Sequence, residues 1–236
     1  MSNLFSLESK VAVVTGAARG NGQAIAKGLR EHGAQVIGLD IIEDKKCIRC
    51  DITSPEDIDR CLGKYFHIDV LVNNAGVSFP HPFLSYPADA WENTYEVNLK
   101  APFKLMQYVG RLMTNKGRGS IINITSLNAE LAFPDNPAYM SFKGALRQLT
   151  KSAALDLGQH NIRVNGVGPG YFKTEMTRAS WEDKEKFEAR KERTVLKRWG
   201  EPEDLVGVCV FLASDASAYI TGQNIYVDGG WSIKGL

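Results

Sequence analysis

The stretch Thr15 to Gly22, TGAARGNG, lies between an apolar run that reads as a strand, Lys10 to Thr15, and a segment with helical spacing, Gly22 to His32. Ala24, Ile25, Ala26 and Leu29 mark the helix, and Gly33 stops it. A glycine-rich turn that closes a strand and opens a helix is built to hold phosphate. Gly16 permits the tight turn, Gly20 lets backbone approach a pyrophosphate, and Gly22 lets the helix pack closely, with free N–H groups at its start. A turn that is merely glycine-rich would show the same letters, so the next feature decides. Asp40 ends the following strand, Ala34 to Asp40, 18 residues beyond Gly22. That is close to the spacing of about 20 at which an acid receives the hydroxyls of an adenosine ribose. A carboxylate there repels a 2′-phosphate and favours NAD, whereas Arg19 in the turn is the kind of residue that would hold that phosphate and favour NADP.

Working outward, strand-like runs continue at Lys46 to Ile52, Ile68 to Asn73, Gly119 to Ser126, Ile162 to Val167 and Ile225 to Asp228. Helical segments alternate with them: a short one capped by Ser54, then Trp91 to Met113, Pro137 to Leu157 and Glu203 to Ala213. This alternation predicts a single α/β domain over residues 1–236, a doubly wound Rossmann fold on a parallel sheet of about seven strands. An irregular insert at about 171–199 interrupts it. The insert is locally basic, with Lys184, Lys186, Arg190, Lys191, Arg193, Lys197 and Arg198 against Glu185, Glu188 and Glu192. It reads either as a solvated helix face or as a lid that attracts an anionic substrate.

Composition narrows the function. The 236 residues are 44% hydrophobic and 23% charged, and 28 basic against 27 acidic residues leave a net charge of +1, so no global field draws the chain to nucleic acid or anionic lipid. The longest apolar run, Val208 to Ala213, is far short of the roughly 18 residues of a membrane helix. The start, MSNLFSLESK, lacks the marks of a secretory signal, so a cytoplasmic location is expected. Cys47 and Cys50 form a CxxC, but no second CxxC or His pair completes a metal site, and the spacing on a strand turns the two to opposite faces. Buried thiols and no metal are expected.

Tyr139 and Lys143 stand four apart at the start of a helix and share a face, while Ser126 ends a strand 13 residues earlier, at the carboxyl edge where open α/β sheets bind ligands. With these residues in view, the chain resembles the short-chain dehydrogenase/reductase family over nearly its whole length. TGAARGNG is similar to the family's TGxxxGxG, Asn73-Asn74-Ala75-Gly76 to its NNAG, Tyr139 with Lys143 to its YxxxK, and Pro169-Gly170 with Thr174 to its PG motif and following Thr. Asn98, Ser126, Tyr139 and Lys143 fall at the places of the family's catalytic tetrad. The resemblance implies cofactor contacts from Gly16, Arg19, Gly20, Asn21 and Gly22, from Asp40 and Ile41, and from Asp51 and Ile52 at the adenine. It also implies contacts from Asn73, Ala75 and Gly76, from Tyr139 and Lys143, and from Pro169, Gly170, Phe172 and Thr174. Asn21 departs from the family's usual aliphatic residue, and the connection between the second and third strands is short.

The activity implied is reversible hydride transfer between a secondary alcohol and a nicotinamide, with NAD expected over NADP. Tyr139 would be the acid/base; bringing a phenol of pKa about 10 to neutrality requires about 4 kcal/mol, which Lys143 and the positive nicotinamide would supply. Lys143 would also hold the nicotinamide ribose, Ser126 would donate to the substrate oxygen, and Asn98 would hold a water in a proton relay. LFSLESKVAVVTG, KRWGEPEDLVG and ITGQNIYVDGGW look most like the sugar-acid and polyol dehydrogenases, gluconate-type enzymes among them. The substrate is therefore expected to be polyhydroxylated. An NADP-dependent 3-oxoacyl thioester reductase and a catalytically silent dinucleotide-binding module are the alternatives. The resemblance also implies a homotetramer built on Trp91 to Met113 and Pro137 to Leu157. His81, Asn128, Glu130, Phe133, Tyr171 and Trp181 are further pocket candidates; His32, His67 and His160 have no evident partners.

Overall fold

Aliphatic runs that are apolar on both sides can only be strands covered on both faces, and this requirement organises the chain. A computed structural model describes residues 3–42 and 44–235. It forms, in order, β1 (Val11–Thr15), α1 (Gly20–Glu31), β2 (Gln35–Asp40), β3 (Cys47–Arg49), α2 (Pro55–Leu62) and β4 (Val70–Asn73). There follow α3 (Ala88–Tyr95), α4 (Ala101–Lys116), β5 (Gly119–Ile124), α5 (Pro137–Leu157), β6 (Ile162–Pro169), α6 (Arg178–Trp181), α7 (Lys184–Arg193), α8 (Val206–Ala213) and β7 (Asn224–Val227).

The strands make one seven-stranded sheet in the order β3-β2-β1-β4-β5-β6-β7, every pair parallel. Along β1, Ala12 and Val14 join one core with Ile25 and Leu29 of α1 and Cys209, Val210 and Leu212 of α8. Val11 and Val13 join the other, with Ile58 and Leu62 of α2 and Leu105, Val109 and Met113 of α4. The chain winds outward from β1 to β3 and returns to β4 on the other side. The carboxyl ends of β1 and β4 therefore part and leave a crevice at the switch of direction.

Three expectations are corrected. The helix expected over Trp91 to Met113 starts earlier and is broken: α3 and α4 are joined by a π-turn over Glu96–Lys100, in which the Ala101 N–H bonds the Glu96 carbonyl five residues back. The third strand is only three residues long: the Cys50 N–H makes the last ladder bond, to the Asp40 carbonyl at 2.7 Å, and the Asp51 N–H turns away to the Asp57 carboxylate at 2.9 Å. The insert is not irregular: Asp183 caps α7 by accepting the Lys186 N–H at 3.0 Å, although α7 buries none of its residues fully. Cys47, Cys50, Cys61 and Cys209 are free and buried, and burial beside Cys61 pushes the Cys50 thiol up to about 12. Among the described residues no helix is long and apolar enough to cross a membrane.

Candidate active site

The floor of the crevice is laced together by the chain itself. The Thr15 hydroxyl accepts the N–H groups of Asn74 and Ala75, each at 3.0 Å. The Asn74 side chain donates to the Thr15 carbonyl at 2.9 Å and the Gly16 carbonyl at 3.2 Å. The loop after β1 and the loop after β4 thus form one rigid piece. Gly16, at φ +65°, allows this approach: a Cβ there would stand 2.9 Å from the Ala75 Cα. A Cβ on Gly22 would stand 2.0 Å from the Gly16 carbonyl, so only glycine lets α1 start so close. Sequence reasoning assigned Thr15 and Asn74 no role; Asn74 was visible only as a letter of the NNAG motif.

The start of α1 fits a pyrophosphate. No side chain caps it, and its first turn holds no acid, so its N–H groups are left for a ligand. The Asn21 Oδ1 at this end is buried without a partner. Thr174, at the entrance to the insert, closes the far side: a Cβ on Gly20 would meet its methyl at 3.4 Å. Asp40 closes the adenosine side. It is 9% exposed, and its two oxygens accept the Ala18 N–H at 3.0 Å and the Ile42 N–H at 3.1 Å. The carboxylate is clamped in place, while Arg19 is exposed. Ile41 is exposed beside Asp40, and Asp51 is exposed with its carboxylate accepting from Thr53.

Several motif residues present only backbone to the crevice. Ile52 and Phe172 are built into the two cores. Asn73 is buried with its amide donating to Asn123 Oδ1 at 2.8 Å. Pro169 ends β6, and Gly170 packs so tightly on Asp228 that a Cβ would lie 2.8 Å from its Cα.

Tyr139 and Lys143 occupy the first two turns of α5, and the Lys143 Nζ lies 5.7 Å from the Tyr139 ring centre. Lys143 is buried and donates to the Ile124 carbonyl at 2.7 Å. Burial lowers its pKa to about 8. Burial likewise raises the Tyr139 phenol above its usual value, helped by Tyr171 and opposed by the Ser126 hydroxyl. In the chain alone desolvation outweighs the neighbouring groups and holds the Tyr139 phenol protonated at neutral pH; the lowering expected from Lys143 and the positive nicotinamide together requires the bound cofactor. Ser126 ends β5's extension, where its Oγ accepts the Asn128 N–H and donates to Asn128 Oδ1, both at 3.1 Å.

Asn98 lies in the π-turn and is fully buried. Its amide is committed in both directions to Val77, accepting from the N–H and donating to the carbonyl, each at 2.8 Å. Gly76 separates it from Lys143; a Cβ there would meet Asn98 Oδ1 at 3.3 Å and Lys143 Nζ at 3.7 Å. The amide thus fixes the loop after β4 over the lysine, and the expected relay is left to the second hydrogen and lone pair of that amide.

Tyr171 heads an aromatic wall: Phe133, Trp199 and Trp231 lie 6.0, 5.6 and 5.0 Å from its ring centre. Trp199 and Trp231 escaped the sequence reading, since nothing local distinguishes them from core residues. Glu130 pairs with Arg147 and the Tyr226 hydroxyl, and Trp181 donates to the Thr174 carbonyl at 3.0 Å. His81 packs edge-on against Tyr86 at 5.8 Å, in the loop that meets Asp135.

A hydroxyl pair above a buried ammonium, next to a pyrophosphate cradle, is what hydride exchange with a carbinol carbon demands: proton and hydride leave from one place. The fold and this site define a nicotinamide-dinucleotide-dependent oxidoreductase acting on CH–OH groups, and the chain belongs to the short-chain dehydrogenase/reductase family. The family model that matches, over residues 16–232, is described as enoyl-(acyl carrier protein) reductase. The 5-keto-D-gluconate 5-reductase of Escherichia coli (strain K12) is 38% identical over 252 residues, covering 98% of both chains. The gluconate 5-dehydrogenase of Gluconobacter oxydans (strain 621H) is 38% identical over 254 residues, again covering 98% of both. A crystal structure of a gluconate 5-dehydrogenase from Burkholderia cenocepacia in complex with NADP and tartrate superposes with a TM-score of 0.94 at 35% identity, covering 98% of each chain.

Proposed function

We propose that the chain interconverts a ketone and a secondary alcohol on a sugar acid, at a carbon remote from the carboxylate, with NAD(H) as cofactor. The observation that carries the reaction is the Ser126–Tyr139–Lys143 group at the carboxyl edge of the sheet. Its likeness along the whole chain to two enzymes named for position 5 of gluconate supports the substrate. When bound, the dinucleotide supplies or accepts the hydride. Tyr139 moves the proton to or from the substrate oxygen, and its raised pKa suits it to donate, in the direction of reduction. Ser126 holds that oxygen and stabilises its developing charge. Lys143 positions the ribose and gives the phenol its counter-charge.

NAD is favoured because Asp40 is clamped by two backbone amides and cannot swing aside for a 2′-phosphate. The related Burkholderia structure holds NADP, so cofactor choice is the sharpest point of test. The thioester-reductase alternative is set against relatives named for sugar acids. A silent binding module has no use for a cation buried as deeply as Lys143. Residues 171–199 act as the lid over the substrate. Four buried thiols suit the reducing cytoplasm, and association through α4 and α5, where Phe103 and Leu155 stay exposed, would give the tetramer.

The test is the rate of NADH and NADPH oxidation with 5-keto-D-gluconate, neutral ketohexoses and 3-oxoacyl thioesters. Turnover of the keto acid with NADH is expected. Turnover of thioesters alone would overturn the reading.

A further inference from the structure

We infer that Arg190 is the residue that reads the substrate carboxylate, an inference that rests on the sugar-acid reading above. Most basic side chains of the insert are already neutralised. Lys186 pairs with Asp183, Lys191 with Glu188, Lys197 with Glu192 and Arg198 with Asp204 at 3.2, 2.9, 2.5 and 2.6 Å. Arg193 donates to the Gly235 carbonyl at 3.1 Å, and Lys184 points to solvent. Arg190 differs. Its Nη1 is buried without a hydrogen-bond partner, and no ion pair engages it among the described residues.

The guanidinium is also held rigidly. It lies 4.6 Å from the ring centre of Tyr171 and 6.0 Å from that of Trp199. Trp199 cannot yield: it is 3% exposed, it stacks on Phe187 at 5.6 Å and 6°, and it donates to the Phe187 carbonyl at 3.0 Å. A stacked guanidinium keeps its edge free, and the edge is the fork that matches a carboxylate. A buried donor with no acceptor is costly to the folded chain unless something arrives to satisfy it. The partner this guanidinium lacks is therefore an anion, and a carboxylate matches its planar fork.

Its place is the edge of the sheet where the reaction occurs. Tyr171, on which the guanidinium stacks, follows the carboxyl end of β6, the strand beside β5 that leads to Ser126.

The experiment compares wild type, Arg190→Gln and Arg190→Lys, with Lys184→Gln as a control that removes the same charge from the solvent face of α7. Selectivity for 5-keto-D-gluconate over a neutral ketohexose, as the ratio of kcat/KM values, is expected to fall about 10- to 100-fold in Arg190→Gln, the range set by a hydrogen bond to a charged group. The loss should sit in KM rather than kcat, and Lys184→Gln should keep the selectivity. Arg190→Lys, which has neither fork nor stack, should recover little of it. NADH affinity and the melting temperature check folding, and if Arg190→Gln does not fold, Arg190→Lys carries the test. Unchanged selectivity in Arg190→Gln, or full selectivity in Arg190→Lys, overturns the assignment while leaving the sugar-acid reading intact. A wild type that reduces neutral ketoses and not the keto acid overturns that reading and the assignment with it.

Discussion

Lys143 offers a measurement in which function and folding pull apart. Burial lowers its pKa from 10.5 to about 8, so the unfolded chain holds the proton more tightly than the folded one. At 1.36 kcal/mol per pH unit, the charged lysine costs the folded state about 3 kcal/mol wherever the pH lies below 8. Between pH 8 and 10.5 the unfolded state binds more protons, so stability rises with pH there and the cost fades. Lys143→Met keeps the stem and removes the titration. Wild type should therefore gain on the variant by about 2 kcal/mol between about pH 7 and about pH 9.5. Urea unfolding of the cofactor-free protein at the two pH values measures it, because every other titrating group cancels in the double difference. The loss of the bond to the Ile124 carbonyl shifts both pH values alike. A difference that does not change with pH would refute the claim that the ammonium is held against its solvation.

Three further outcomes are expected. Tyr139→Phe should lower turnover by about 10² to 10⁴ while the NADH dissociation constant, read by fluorescence titration, stays near that of wild type; full turnover would remove Tyr139 from proton transfer. Asp40→Ala should raise NADPH affinity relative to NADH by about 10-fold or more, since like charges in contact cost several kcal/mol, and a wild type that already binds NADPH more tightly would show that Arg19 governs the pocket. Gly22→Ala must force apart a contact that would stand at 2.0 Å, so dinucleotide binding should be lost and the melting temperature should fall by several degrees, for a cost of the order of 1–3 kcal/mol; a variant that binds NADH normally would refute the close approach of α1.

The readable parts of the fold were those written locally. The strand-turn-helix around TGAARGNG, the cap at Ser54 and the apolar alternation need only near neighbours, and β1, α1, α2 and α5 follow from them. The π-turn could not be read this way, because it depends on Asn98 pairing with Val77, 21 residues distant. Helix α7 was legible only as one of two readings of a basic run, because without a buried face it shows no apolar period. In the site, residue types and spacing point to Tyr139 and Lys143, but the direction of the phenol's shift depends on burial. Likewise Arg190 and Lys184 are equivalent letters in one basic run, and only packing against Tyr171 and Trp199 sets one apart.

The wide turn at Glu96–Lys100 has an evolutionary consequence, which concerns chain length rather than residue type. Each residue of an α-helix advances about 100° around its axis. Deleting one residue there would relax the π-turn to an ordinary helix and rotate α3 against α4 by that angle. The Trp91 ring would leave Phe142, 4.9 Å away, or Leu105, Val109 and Met113 would leave the core. Outside Asn98 and the buried face, side chains along this helix have room to change, yet their number is fixed to the unit. Variation in length is pushed into loops such as the connection between β2 and β3.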